Sequence, residues 1–322
     1  MASVKTAGAR ALGRAGTAHV DKTGKTPMNI SLTSDFAGST GDPTLSLKVL
    51  AEAGFTNVMW CHHWCDDFLY GDHEIAYLKA LFRDCGLALS DIHGSQGVEK
   101  CWHSPVEYCR KAGVELVANR IRMLRELDGD GTIMMHVPFF NAATRDEAER
   151  KVVQDHFDAL CRSLDELMPL LEEAGTAISA ENMWMDSWEL IEELLARYPA
   201  DRLGICYDSG HGNANANKQL DHLERNKGRL IALHLDDNDG TGDQHQPPYY
   251  ATVDWVRLAG IIATSSYRRP LSFELSMMNT PFRVADLTAV QQPYEARLAF
   301  ARDAHERCVR FAQAVESGRP SA

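Results

Sequence analysis

Apolar and polar positions along this chain follow two alternating rhythms. Short runs of apolar and β-branched residues are separated by longer stretches with helical spacing. Met28–Leu32, Asn57–Cys61, Leu87–Ile92, Thr132–Met135, Ala177–Ala180, Leu203–Tyr207, Leu230–Leu233 and Leu271–Phe273 predict eight strands. The intervening stretches Thr44–Ala53, His73–Cys85, Pro105–Leu127, Thr144–Ala174, Ser187–Tyr198 and Val253–Thr264, with a last one at about Tyr294–Glu316, predict helices. Pro105 fits the first turn of its helix, and Pro169 predicts a bend in the long fourth one. SGHGN at Ser209–Asn213 reads as a turn. Eight strand–helix units point to one (β/α)₈ barrel, an α/β TIM barrel spanning residues 27–318 as a single domain. An open doubly wound sheet gives similar alternation, but no GxGxxG follows the first strand.

Composition supports a globular domain: of 322 residues, 44% are hydrophobic and 24% charged. No run approaches the ~20 apolar residues that a membrane span needs. A net charge of −12 opposes nucleic-acid binding, which needs a basic footprint. Residues 1–26 hold five Lys/Arg and one Asp without periodicity, and read as an unstructured arm or tag, with a nucleic-acid or partner-binding arm as the alternative. Residues 319–322 read as a tail. The eight cysteines show no CxxC spacing, and no secretory apolar region precedes the barrel, so a reducing cytoplasm is expected.

The candidate chemistry sits at strand ends. His93, His136, Glu181, Asp208, His234 and Glu274 each fall at the carboxyl end of a different predicted strand, where barrel strands converge on one mouth. His211 lies in the turn after Asp208, and Asp243 and His245 can fold back from the loop in LIALHLDDNDGTGDQH. Buried charges must be paired or bound to a metal. Two Glu, one Asp and one His make an oxygen-rich set suited to Mn²⁺, Mg²⁺ or Co²⁺, while a structural zinc wants thiolates and none is placed for it. Such a site holds adjacent carbonyl and hydroxyl oxygens of a sugar, with a flanking carboxylate to move a proton. Trp60, Trp64, Trp102 and Trp184 fall on or just after strand ends and suit stacking on a sugar or an aromatic group, whereas Trp188 and Trp255 look helical. Three other candidates drop out. GxSxG is absent, Cys61 is merely next to His62 and His63, and DDNDG lacks the twelfth-position Glu of a calcium loop.

ENM at Glu181–Met183, CYDSGHGN at Cys206–Asn213, HLDDNDGTGDQH at His234–His245 and FEL at Phe273–Leu275 together resemble the sugar phosphate isomerase/epimerase family. This family belongs to the xylose isomerase-like barrel superfamily, which also contains endonuclease IV, and the resemblance covers about residues 28–316. It implies that Glu181, Asp208, His234 and Glu274 hold a catalytic divalent metal, commonly manganese. It further implies that Glu181 and Glu274 form the acid/base pair and that His211 binds a substrate oxygen or assists proton transfer. His93, His136, Trp60, Trp102, Trp184, Asp243 and His245 are then expected to contact substrate. Tagatose and psicose 3-epimerases place an arginine six residues after the metal-binding His, where this chain has Gly240. His93, His136, Glu181, Asp208, His211, His234, Asp243, His245 and Glu274 also resemble the three-zinc ligand set of endonuclease IV, an abasic-site phosphodiesterase. The C-glycoside deglycosidase branch pairs a barrel subunit with a small β-sandwich subunit and eliminates an aromatic aglycone from a 3-oxo-C-glycoside.

The leading expectation is a metal-dependent enzyme moving a proton beside a sugar carbonyl. The neighbouring readings are that lyase, the nuclease and a non-catalytic binding barrel. The apolar, proline-bearing segment HQPPYYATVDW predicts an oligomer, either of like chains or with the β-sandwich partner.

Overall fold

The computed structural model describes residues 29–141, 144–214 and 218–319; residues 1–26 of the expected arm and 320–322 of the expected tail lie outside them. Eight parallel strands run β1 (Ile30–Thr33), β2 (Asn57–Trp60), β3 (Ala88–His93), β4 (Ile133–His136), β5 (Ile178–Glu181), β6 (Leu203–Asp208), β7 (Leu230–His234) and β8 (Leu271–Phe273). They pair in the order β7-β6-β5-β4-β3-β2-β1-β8. Leu235 continues β7 and closes the ring, donating its N–H to Ser272 O at 3.0 Å and accepting from Glu274 N at 3.1 Å.

The outer layer holds α1 (Thr44–Ala53), α2 (Asp72–Cys85), α3 (Glu107–Glu126), α4 (Glu147–Ala174), α5 (Trp188–Arg197), α6 (Ser209–Ala214), α7 (Gln219–Asn226), α8 (Trp255–Ala263) and α9 (Tyr294–Ser317). Each long helix buries one apolar stripe on the sheet; α4 sends Val153, Phe157, Leu160, Leu164, Leu167 and Leu171 inward at helical spacing. At its end Gly175 adopts φ +68°, where a side chain would be strained. Its N–H bonds Glu172 O while Thr176 N bonds Leu171 O, and the chain turns into β5.

Three departures from the sequence expectation have a clear local cause or change an element. The fourth helix starts at Glu147, because the Asp146 carboxylate caps it by accepting Glu149 N–H at 2.9 Å. It then continues through Pro169 to Ala174. The third helix starts after Pro105, with Val106 still extended. Ser209–Ala214 is helix α6 rather than a turn, and α7 follows it.

Inside the barrel, one residue layer below the mouth, side chains meet in polar bonds. Ser31 Oγ donates to Ser272 Oγ at 2.7 Å. Thr132 Oγ1 bonds both Asp91 Oδ1, at 3.1 Å, and Ser179 Oγ, at 2.9 Å. This satisfied layer forms the floor of the site above it.

Candidate metal centre

Strand register sets the geometry of the mouth. His136 pairs with Glu181, and Asp208 pairs with His234, so these side chains leave neighbouring strands at matching levels. Glu274 follows β8, and its backbone is fixed by Leu235. One ligand atom from each of Glu181, Asp208, His234 and Glu274 lies within 4.8 Å of all the others, and all four residues are buried.

These atoms do not satisfy one another. His234 Nδ1 lies 2.6 Å from both Glu181 Oε1 and Glu274 Oε2, and a single ring nitrogen carries at most one proton. Both carboxylate oxygens of Glu181, Asp208 Oδ2 and both ring nitrogens of His234 are buried without a hydrogen-bond partner of acceptable geometry. Converging buried acceptors that lack donors are the surroundings a divalent cation satisfies, and three carboxylates with one imidazole suit a hard ion. The residues present therefore fit the metal expected from the sequence.

The charges respond to this crowding. Burial pushes Asp208 up to about 7, with Glu181 and Asp243 adding to the rise against the pull of His211. Burial opposes charge on His234, but Cys206, Glu274 and Glu181 outweigh it and hold its pKa well above the ordinary value. Glu274 drops to about 2 because His234 and His245 outweigh its burial.

Two further groups flank the centre. His93, His136 and Glu181 each offer an atom within 4.8 Å of the others, with His136 Nε2 at 3.0 Å from Glu181 Oε2. His93 Nδ1 donates to Gly94 O at 2.8 Å, which leaves Nε2 as the free acceptor. On the other side Asp243 lies 3.6 Å from His211 and 2.8 Å from His245. Burial disfavours charge on His211, yet Asp208 and Asp243 lift it to about 10.

Asp243 and His245 come from the loop after β7, and Asp237 fixes that loop. Its carboxylate accepts from Asn238 N, Ala251 N, Val253 N and the indole N–H of Trp255, all at 2.9–3.0 Å. Replacing Asp237, which is fully buried, by Ala leaves several donors unpaired. Urea unfolding is expected to register a loss of about 3 kcal/mol, with Asp237→Asn restoring part of it. The HQPPYY segment of the same loop packs on its own chain: Pro247 and Pro248 are buried, Tyr249 meets Trp255 at 5.7 Å, and Tyr250 Oη bonds Asp303 at 3.1 Å.

The mouth encloses about 280 Å³ and is lined by His93, His136, Glu181, His211, Asp243, His245 and Glu274, as the sequence indicated. Of the four tryptophans expected there, Trp64 and Trp184 line it. Trp60 points away from the mouth, because β alternation sends Met59 and Cys61 the other way. Trp102 lies behind the wall, donating Nε1–H to His136 O at 3.1 Å. Gln96, His103, Val137, Pro138, Phe139 and Met183 complete the lining, and no lysine or arginine is among the lining residues. His103 is backed by His156, their Nδ1 atoms 3.0 Å apart. Two groups near the centre had no sequence signal beyond their type. Asp35 is raised to about 6 by burial and by Glu274. Cys206 offers its sulfur within 4.8 Å of Glu181 and His234, so one thiol does stand beside the centre. Burial pushes that thiol up, and it is kept protonated.

The model of the xylose isomerase-like TIM barrel matches residues 47–316. A curated relative, an uncharacterized protein of Sinorhizobium fredii, is 32% identical over 254 residues, covering 72% of this chain and 80% of its own length. Among solved structures, a D-tagatose 3-epimerase-like protein superposes with a TM-score of 0.68 at 19% identity, covering 90% of this chain and 99% of its own. The 3-keto-D-glucoside 4-epimerase of E. coli gives 0.64 at 18%, with 86% and 100% covered. An L-ribulose 3-epimerase gives 0.65 at 16%, with 91% and 96% covered. At these identities the solved structures bear on the fold.

Proposed function

The chain belongs to the xylose isomerase-like TIM barrel family, and from that premise we propose that it is a divalent-metal-dependent enzyme moving a proton beside the carbonyl of an uncharged sugar or sugar derivative, with isomerisation or epimerisation as the outcome. The observation that carries this reading is the convergence of Glu181, Asp208, His234 and Glu274 within 4.8 Å from four separate strand ends. These four would hold the ion, with manganese, magnesium or cobalt best matched to the set. When bound, such an ion polarises a carbonyl oxygen and so acidifies the neighbouring C–H.

The remaining steps fall to the protein. Glu181 and Glu274 reach the centre from β5 and β8. One removes the proton and the other returns one to the opposite face, as general base and general acid. His211, held cationic by Asp208 and Asp243, donates toward the oxygen on which negative charge develops. Trp64, Phe139 and Trp184 present ring faces to the sugar's C–H surface. Among the described residues no lysine or arginine lines these walls to hold a phosphate group, which supports an unphosphorylated substrate. The same absence, with the net charge of −12, weighs against the abasic-site nuclease. The sugar epimerases among the structural neighbours support proton transfer beside a carbonyl.

A second reading is favoured by one observation: Trp184 is 41% exposed at the rim, 5.9 Å from Phe139 and 5.2 Å from His211. An aromatic aglycone would stack there, and loss of the proton would then expel it, as in C-glycoside elimination. Under either reading Trp184→Ala is expected to raise KM about tenfold with kcat little changed, because stacking contributes alike to substrate and transition state. Incubating keto-sugars and 3-oxo-glycosides with the enzyme in D₂O tests the function. Deuterium should enter at the carbon beside the carbonyl, with aglycone release marking the second reading. No incorporation into any of them would count against both.

A further inference from the structure

A second cavity, of about 230 Å³, lies beside the mouth among the start of α1, α2 and the loop after β2, and shares no lining residue with it. Its walls carry Trp60, Phe68, Tyr70 and Tyr77, and most of these rings are fixed before any ligand arrives. Trp60 stacks on His62 at 4.9 Å, His63 stacks on Phe68 at 4.2 Å, and Phe68 meets Tyr70 edge-on at 4.9 Å. Trp60 Nε1 donates to Tyr70 Oη at 3.1 Å, and the Arg120 guanidinium lies 4.6 Å over the Tyr70 ring. A preformed aromatic box loses little rotamer freedom on binding.

One polar side chain in this box, His62, is buried to 3% exposure. Its Nδ1 lies 3.1 Å from Ser34 Oγ. The same hydroxyl accepts the Cys61 N–H at 3.0 Å and meets no other acceptor among the described residues, so its proton goes to Nδ1 and the ring's own proton sits on Nε2. Burial holds the imidazole down to about 4, which keeps it neutral. Among the described residues Nε2 meets no hydrogen-bond partner. Glu74, at the rim, is committed to capping α2 through Gly71 N at 2.9 Å. The cavity thus offers flat apolar walls with His62 Nε2 as a buried unpaired donor and His73 exposed at the rim, and no lysine or arginine is among its lining residues.

We infer that this cavity is a binding site for a small, uncharged aromatic molecule carrying one hydrogen-bond acceptor, its ring against the Trp60–Phe68–Tyr70 wall and its acceptor on His62 Nε2. Since a cavity of about 150 Å³ holds benzene, the volume here suits one ring with short substituents. No member of the metal cluster lines it, so a molecule bound here is not in place to be the substrate of that centre. The loop that supplies His62 and His63 carries Trp64 on its other side, 4.6 Å from His93 and 5.5 Å from His136. An occupant therefore bears on the segment that shapes the mouth.

The probe is 4-bromoacetophenone, whose bromine locates it in a soaked crystal by anomalous scattering and whose carbonyl is the acceptor. The expected result is a bromine peak within the Trp60–Tyr77 cavity and saturable binding by calorimetry in solution. His62→Phe should weaken that binding about tenfold, the worth of one hydrogen bond. 1-Bromo-4-ethylbenzene, which lacks the acceptor, should bind the wild type and the variant with equal, weaker affinity. A bromine peak only in the barrel mouth, no peak at all, or binding at crystal concentration only would overturn the inference. So would full affinity in a folded His62→Phe protein. If that variant does not fold, the crystal and the acceptor-free analogue still decide.

Discussion

Glu274→Gln is expected to lower turnover by at least about a thousandfold while the barrel still folds, because it removes a proton-transferring carboxylate and one charge from the ligand set. Glutamine keeps the size of the side chain, and the backbone bond that Glu274 N–H donates to Leu235 O is not touched by the substitution. Circular dichroism should therefore be unchanged. The comparison with Glu181→Gln is informative. If the two carboxylates work on opposite faces, each variant loses epimerisation. Each then keeps solvent exchange with a different epimer, the one whose proton its remaining carboxylate faces. Unchanged turnover in Glu274→Gln would remove Glu274 from the chemistry.

Chelation should have an effect of similar size. Stripping divalent ions is expected to abolish activity and destabilise the fold, since buried Glu181, Asp208 and Glu274 then face one another around a single imidazole. At an ion concentration of about 100 times Kd, bound metal contributes roughly 2.7 kcal/mol to unfolding, which thermal melts with and without manganese would register. The effect has a defined pH dependence. Burial first, then neighbouring carboxylates, raise Asp208 from 3.8 to about 7 in the metal-free protein. The carboxyl therefore carries a proton below about pH 7 that must leave before it can ligate. As pH drops, affinity for the ion should fall by about a hundredfold per unit below pH 7, where Asp208 and the cationic His234 both lose a proton on ligation, and by about tenfold per unit just above it, where only His234 does. Melts that are identical with and without chelator would contradict this.

Much of the centre was legible because strand ends coincide with chemistry. His93, His136, Glu181, Asp208 and His234 each close an apolar run, and the barrel converts that pattern into one cluster. The helix at Ser209–Ala214 was not legible. Its glycines are poor helix formers, and the reason for them is distant in sequence. A side chain at Gly210 would meet Asp236 Oδ1 at 2.1 Å, and one at Gly212 would meet the Tyr207 hydroxyl at 2.3 Å. The tryptophans divide the same way. Alternation along β2 already separates Trp60 from Cys61, so its orientation was available in the sequence. That Trp102 sits behind His136 depends on how the loop before α3 folds, and short-range pattern does not carry that. Asp35 reads as an ordinary turn residue until the barrel closes and brings Glu274 near it.

The most direct test is the metal content of the protein purified with neither added metal nor chelator, measured by mass spectrometry per chain. About one manganese, magnesium or cobalt ion per chain is the expected result, lost with Asp208→Asn. About three zinc ions would instead fill the flanking histidine groups as well and turn the account toward phosphodiester cleavage. No metal, with none taken up on soaking, would contradict it outright.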